Sequence, residues 1–311
     1  MADKRATREA YGEALAKLGQ DHFFYVMDAD LSASTKTAVF AKAFPDRFIN
    51  CGIAEGNMMS VAAGIASTGV PVFASTFAMF AAGRAFEQIR NSIGYPALNV
   101  KICATHAGIT VGEDGATHQC NEDIALMRSI PGMTVLCPAD SAETAAAVEA
   151  ALSINGPVYI RLGRYAVPEV TAGHPFAVGR GQILREGSDV TLCATGVMTS
   201  MALEAADLLL TEGISARVVN MATIKPIDAA LLADCARKTG AIVTCEEHTV
   251  LGGLGGAVAE AVCESCPVPV LRVGVEDAFG RSGTVPELLT LYGLTSARIA
   301  EKARAAVKMK R

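Results

Sequence analysis

The sequence predicts an α/β protein of two domains, each with a mainly parallel sheet covered by helices. Three observations predict it. Short apolar runs of strand length, such as Phe23–Met27 and Asn99–Ala104, alternate with Ala-rich stretches of helical length. The 311 residues suit about two domains of ~150 residues each. The alternation lapses once, around Val167–Gly187, into Pro, Gly and polar residues, and then resumes. Apolar residues make up 51% of the chain, enough for two buried cores, and small ones with Gly suit helices laid closely on parallel strands.

In chain order, Met1–Leu18 reads as a charged amphipathic helix containing Asp3, Glu9 and Glu13, too acidic for a transit peptide. Phe23–Met27 is the first strand and ends in the polar loop Asp28–Ser34. Phe48–Cys51 is a strand, Gly52 a turn, and a helix starts from Ile53 onward. Pro71–Ser75 is a strand, Phe77–Ile93 a helix, and Asn99–Ala104 a strand opening into the glycine-studded loop Thr105–His118. Asn121–Ser129 is helical, Met133–Cys137 a strand, Ser141–Ser153 a helix with Ser141 as N-cap, and Val158–Leu162 a strand. These elements form a domain over residues 1–168, with 169–187 as linker. Residues 188–311 form the second domain. Its strands are Val190–Ala194, Ala216–Asn220, Ala241–Cys245 and Val268–Val273. Its helices are Ser200–Thr211 and Asp228–Lys238, another running from the turn Gly252–Gly256 to Cys263, and two at the end. Gly253-Leu-Gly255 does not complete a dinucleotide fingerprint, because Val258 stands where a third Gly or Ala belongs. No cluster of chemistry-bearing residues is expected in this half.

Composition excludes several classes. The formal charge is −5 and the basic residues are scattered, so nucleic acid is not a partner. Nine cysteines, an odd number spread through strands and helices, read as the reduced thiols of a cytoplasmic protein. Cys263 and Cys266 lack a second pair to make a zinc site, and no metal ligands are assigned. Gly56–Gly83 holds no ionisable residue, yet Thr68-Gly-Val-Pro71 and several Ser/Thr break it into a buried helix, a turn and a strand, so no membrane span is expected.

Parallel sheets collect ligands at the loops beyond their strands' carboxyl ends. Asp30, Ser34, Glu55, Phe77, His106 and Arg164 all lie there. Glu55 opens an apolar helix. Burial favours the neutral acid, so such a Glu can share a proton with a ligand nitrogen. The plainer reading is a first-turn Glu that complements the helix dipole. His106 and His118 flank a loop whose Gly108, Gly112 and Gly115 let the backbone approach a ligand, although two solvated histidines would look the same. An Asp after a strand, as at Asp30, is ordinarily a turn residue.

Several stretches together resemble the transketolase family of thiamine diphosphate enzymes. They are Asp28-Ala-Asp-Leu31, Gly52-Ile-Ala-Glu55, Ser75-Thr-Phe77, Thr105-His106 and Gly112-Glu-Asp-Gly-Ala-Thr-His-Gln119. Arg161-Leu-Gly-Arg164, Asn220-Met-Ala-Thr-Ile-Lys-Pro226 and Glu246-Glu247 leading into Gly252-Gly253 follow in the same order. The resemblance implies a parallel-sheet pyrimidine-binding domain followed by a smaller α/β C-terminal domain. It implies that Glu55 hydrogen-bonds the cofactor's aminopyrimidine ring nitrogen, so that the ring can remove the thiazolium C2 proton. Phe77 and Phe80 would pack on that ring, with ordinary core packing as their alternative, and Asp30 would lie near it. The family often has a third aromatic where Gly83 aligns. His106, Arg8, Ser34 and Arg164 would bind a sugar phosphate, while Asp114 and His118 would contact substrate hydroxyls.

The family's Gly-Asp-Gly run, which holds the diphosphate and metal, does not occur here. The resemblance therefore implies the C-terminal subunit of a split transketolase that transfers a two-carbon ketol unit between phosphosugars. Its partner would be an N-terminal subunit holding the diphosphate with Mg2+ or Ca2+, in an α2β2 assembly. The alternatives are the β subunit of a 2-oxoacid dehydrogenase, a split transketolase for an unusual, for example sulfonated, sugar, and a non-catalytic partner lending only a dimer surface.

Overall fold

The computed structural model describes residues 4–310, and Met1–Asp3 of the first expected helix lie outside them. That segment begins as a short strand, Arg5–Ala6, and turns into a helix at Thr7–Leu18. The strand pairs antiparallel with Ala166–Val167, and the Gly163 N–H donates to Thr7 Oγ1 at 2.7 Å. This two-residue ribbon brings the start of the helix, with Arg8, against the turn that carries Arg164.

The first sheet has seven strands, in the order Thr223–Lys225, Thr134–Leu136, Val158–Arg161, Val100–Thr105, Val72–Phe77, Tyr25–Asp28, Phe48–Asn50. All pair in parallel except Thr223–Lys225, an antiparallel edge strand from the second half of the chain. Alternate residues of a strand face opposite ways, and the core divides accordingly. Met27, Ala74 and Ile102 pack with Met58 and Ile89 on one face, while Val26, Phe73 and Cys103 pack with Tyr11 and Phe40 on the other.

The second sheet has five strands, in the order Val270–Val275, Ile242–Thr249, Val190–Ala194, Ala216–Asn220, Gln182–Arg185. Gln182–Arg185 lies in the stretch expected to be linker and pairs antiparallel with Ala216–Asn220. As a short, half-buried edge strand between glycines, it shows no alternation that a sequence could reveal.

Other expectations need correction. The expected helix Phe77–Ile93 is broken into two π-helical turns, Met79–Arg84 and Ile89–Gly94, around Phe86–Gln88. Such turns carry one residue more than an α-turn and re-aim the side chains after them. Gly83 sits inside the first of them, and the Met79 thioether fills the space where a Cβ would stand. The N-cap of Ser141–Ser153 is Asp140, not Ser141, because the Asp140 carboxylate accepts from the Glu143 N–H at 3.0 Å. The loop expected after the first strand contains a helical turn, Ser32–Thr35. Buried Asp28 holds it, accepting from the Leu31 N–H and from the hydroxyls of Thr35 and Thr37. The turn expected at Gly252–Gly256 runs into a helix already at Leu254, and the Glu246 carboxylate caps it through the Leu254 and Gly255 N–H groups.

Among the described residues no helix is long and apolar enough to cross a membrane. All nine cysteines are free, and burial pushes thiols such as Cys103 (to about 12) and Cys137 (to about 11) well above their ordinary range.

Candidate active site

Glu55 is the first residue of the helix Glu55–Ala66, at the carboxyl end of the first sheet, and is 2% exposed. The surface that follows it, Gly56–Gly83, carries no ionisable residue, and no partner for Glu55 was expected there. Instead Arg84, the first charged residue after that surface, returns to it. Arg84 Nη1 donates to both Glu55 oxygens, at 2.9 and 2.8 Å. The guanidinium carbon lies 4.4 Å from the centre of the Phe80 ring. Sequence reasoning missed this partner. The available signal was that Glu55 and Arg84 bracket a stretch without any other ionisable group.

Phe77 ends its strand, and Phe80 lies in the π-turn that follows. Their rings are nearly parallel, with centres 5.7 Å apart and an interplanar angle of 16°. The His118 ring meets Phe80 edge-on at 5.4 Å, and His106 stacks on Phe77 at 3.7 Å. Two aromatics, two imidazoles and one buried carboxylate thus line one region at the end of the sheet.

His106 follows its strand with φ of 55°, a left-handed conformation that re-aims the ring over Phe77. Its Nε2 lies 3.0 Å from Arg8 Nη1, and its Nδ1 lies 2.9 Å from Thr105 Oγ1. A guanidinium can only donate, so Nε2 is the acceptor and the ring proton sits on Nδ1, directed at Thr105. Burial, and then the positive charges of Arg8 and Arg164, lower the His106 pKa to about 3. The imidazole is therefore neutral. Burial and the nearby Arg164 also lower the Arg8 pKa, while Glu9 opposes the shift.

Arg8 donates as well to the Ser34 carbonyl at 3.0 Å, so the backbone of Ser34, not its hydroxyl, meets the cluster. Arg164 Nη1 donates to the Val111 carbonyl at 2.5 Å and lies 3.5 Å from Asp114 and 3.7 Å from Glu113. Arg8, Ser34, His106, Asp114 and Arg164 are thereby brought together. Asp30 is not among them. It is exposed, has φ of 63°, and exchanges hydrogen bonds with Asn50, as the turn-residue reading has it.

The loop between the two histidines is held from the second half of the chain, where no chemistry-bearing cluster was expected. Glu246, Glu247 and His248 are all buried at the end of their strand. The Glu247 carboxylate accepts from the Thr110 N–H at 2.5 Å and fills the space a Cβ on Gly108 would need. With φ of 80° as well, that position admits only glycine without strain. Burial raises the Glu247 pKa, and Arg161 opposes the shift. Arg161 itself is buried, donating to the Asp123 carboxylate through Nε at 2.8 Å and to the Glu247 carbonyl at 2.8 Å. Gln119 adds hydrogen bonds to the carbonyls of Gly112 and Arg281. The His106–His118 loop is thus braced on rigid elements of both halves.

The chemistry of these residues suits a flat nitrogen heterocycle once Arg84 leaves Glu55: a carboxylate for a ring nitrogen, the Phe80 face that Arg84 covers, and cationic groups beyond for an anionic substrate. Among the described residues no group of His, Cys, Asp and Glu is arranged to hold a metal ion.

The sequence model described as "Transketolase, pyrimidine binding domain" matches residues 3–169, and "Transketolase, C-terminal domain" matches residues 179–299. The chain belongs to the transketolase family. Similar proteins include a putative transketolase C-terminal section of Methanocaldococcus jannaschii, 50% identical over 96% of this chain and 95% of the relative. A 6-deoxy-6-sulfo-D-fructose transketolase subunit of a Clostridium species is 44% identical over 97% of this chain and 95% of its own length. Human transketolase is 41% identical over 98% of this chain, which spans 49% of that longer protein. A solved structure, titled a split gene transketolase as an inactive beta4 tetramer, is 57% identical and superposes with a TM-score of 0.92, covering 99% of this chain and 100% of that one. The pyrimidine-binding match ties this family of transferases to thiamine diphosphate.

Proposed function

We propose that this chain is the C-terminal subunit of a thiamine diphosphate-dependent split transketolase, moving a two-carbon ketol unit from a phosphorylated ketose to an aldose acceptor. One observation carries the reading. The buried Glu55 carboxylate is joined through Arg84 to the face of Phe80, which stacks with Phe77, and the Arg8–His106–Arg164 cluster lies at the same end of the sheet. When bound, the cofactor supplies the carbon nucleophile that carries the two-carbon unit. Glu55 holds the proton shared with its ring nitrogen. Phe77 and Phe80 set the plane of the ring and exclude water from it. Arg8 and Arg164 bind the substrate's terminal phosphate, to which a guanidinium donates in a fork. Neutral His106 presents Nε2 to Arg8 and keeps that guanidinium aimed. His118, beside both phenylalanines, reaches the hydroxyls near the reacting carbons with Asp114.

The diphosphate and its Mg2+ or Ca2+ belong, in this reading, to an N-terminal partner subunit in the cytoplasm, within an α2β2 assembly. Two similar proteins support a separate partner: one is named a putative transketolase C-terminal section and the other is titled a split gene transketolase, and the match covers 95% and 100% of their own lengths. The transketolase relatives favour this reading over a 2-oxoacid dehydrogenase subunit. Intact Glu55, Phe77, Asp114 and His118 argue against a non-catalytic one. A second reading keeps the mechanism and changes the sugar. The Clostridium relative is named for a sulfonated fructose, and two arginines can donate to the oxygens of a sulfonate as well as to those of a phosphate.

The test is reconstitution. The purified chain alone should show no ketol transfer, and adding the chain that co-purifies with it, identified by mass, should create activity. Comparing a phosphorylated with a sulfonated ketose donor then separates the two sugars. Ketol transfer by the isolated chain would overturn the split reading.

A further inference from the structure

Glu55 and Arg84 flank the uncharged stretch, and in the fold they close on each other. We propose that Arg84 occupies the pyrimidine subsite of the cofactor-free subunit as an internal stand-in for the cofactor ring, and must swing out before the ring can bind. The inference rests on the reading of Glu55, Phe77 and Phe80 given under Proposed function. A guanidinium is a flat, cationic, nitrogen-bearing group. This one donates an N–H group to both Glu55 oxygens and lies 4.4 Å over the Phe80 ring. A protonated aminopyrimidine held by the same two residues needs the same pair of contacts, an N–H on the carboxylate and a face on the phenylalanine.

Both partners cannot be held at once. Glu55 is 2% exposed, and Arg84 Nη1 lies within 2.9 Å of each of its oxygens, so a ring nitrogen reaching the carboxylate meets the guanidinium first. Arg84 is free to leave. Its side chain is 52% exposed, and among the described residues its hydrogen bonds go to Glu55 alone. It also ends the π-turn Met79–Arg84, where the helical path is already interrupted and a side chain can be redirected with little repacking. The arrangement has a physical logic. A buried carboxylate without a partner is costly, and Arg84 satisfies Glu55 until a better-fitting cation arrives. In doing so it sets a threshold that weak ligands of the site do not pass.

The test uses 4-amino-5-hydroxymethyl-2-methylpyrimidine, which carries no diphosphate and so requires no partner chain. Calorimetric titration compares the unchanged chain with Arg84→Met, a variant that keeps an unbranched, flexible side chain and removes the guanidinium and its charge. The variant should bind the probe about tenfold more tightly, equal to about 1.4 kcal/mol. In nitrogen-15 NMR of the unliganded chain, the Arg84 guanidinium protons should exchange slowly, and they should become mobile when the probe is added. Binding by Arg84→Met no tighter than by the unchanged chain, or a freely rotating Arg84 before any ligand is present, overturns the proposal. The underlying reading is tested apart from it. In the Arg84→Met background, Glu55→Gln should weaken binding of the probe, and if it does not, the assignment of Glu55 to the ring nitrogen fails whatever Arg84 does.

Discussion

Arg164→Ala probes what the far end of the site grips. A charge-assisted hydrogen bond to an anion contributes about 1.5–3 kcal/mol. The Arg164 side chain is 37% exposed, so solvent screening places its contribution at the low end, about 1.5–2 kcal/mol. That corresponds to about a ten- to thirtyfold fall in kcat/KM for a phosphorylated acceptor, appearing chiefly in KM because the phosphate contact is the same in ground and transition states. An unphosphorylated acceptor such as glycolaldehyde ends before this contact. Its kcat/KM should fall only about two- to threefold, the residual cost of loosening the Val111 carbonyl and Asp114, both held by Arg164. Steady-state kinetics of the reconstituted enzyme with both acceptors give the comparison directly. An equal loss for the two would refute the phosphate pocket and leave Arg164 as a brace for the 109–114 loop.

His118→Ala should lower kcat/KM for both acceptor types, because its ring lies by Phe77 and Phe80 and not at the phosphate end; a loss confined to phosphorylated acceptors would contradict its assignment. Glu55→Gln keeps the shape of the site but removes the shared proton. In the reconstituted enzyme, cofactor C2 proton exchange should slow about 100-fold or more, and an unchanged rate would remove Glu55 from the mechanism. Lys101 is buried, donating to the Ile154 and Gly156 carbonyls, and burial lowers its pKa to about 7. Between about pH 7 and its ordinary 10.5, the folded chain leaves Lys101 neutral while the unfolded chain protonates it. Stability from this site therefore rises with pH across that window, by at most about 1.4 kcal/mol per pH unit. Urea unfolding at pH 7 and pH 9 should show a smaller gain for Lys101→Met than for the unchanged chain.

What the sequence determined by itself was everything carried by local periodicity. Strands Val190–Ala194 and Ala216–Asn220 have the bounds expected of them, because each is a buried strand built around consecutive apolar residues, Leu192–Ala194 and Val218–Val219. The same rule placed Glu55, Phe77, His106 and Arg164 at or just beyond strand ends, and so at one end of one sheet. Tertiary structure alone decided which of the charged groups meet. Glu55 and Arg84 are 29 residues apart, and Thr110 and Glu247 are 137 apart. No period of 2 or 3.6 residues encodes such pairings; the crossing of elements from different parts of the chain creates them. Within the first π-turn after Phe77 the Met79 side chain settles over Gly83, a packing choice invisible in a helical repeat. The edge strands Thr223–Lys225 and Gln182–Arg185 are too short and too polar to announce themselves, and they exist because a neighbouring strand presents unpaired backbone groups to them.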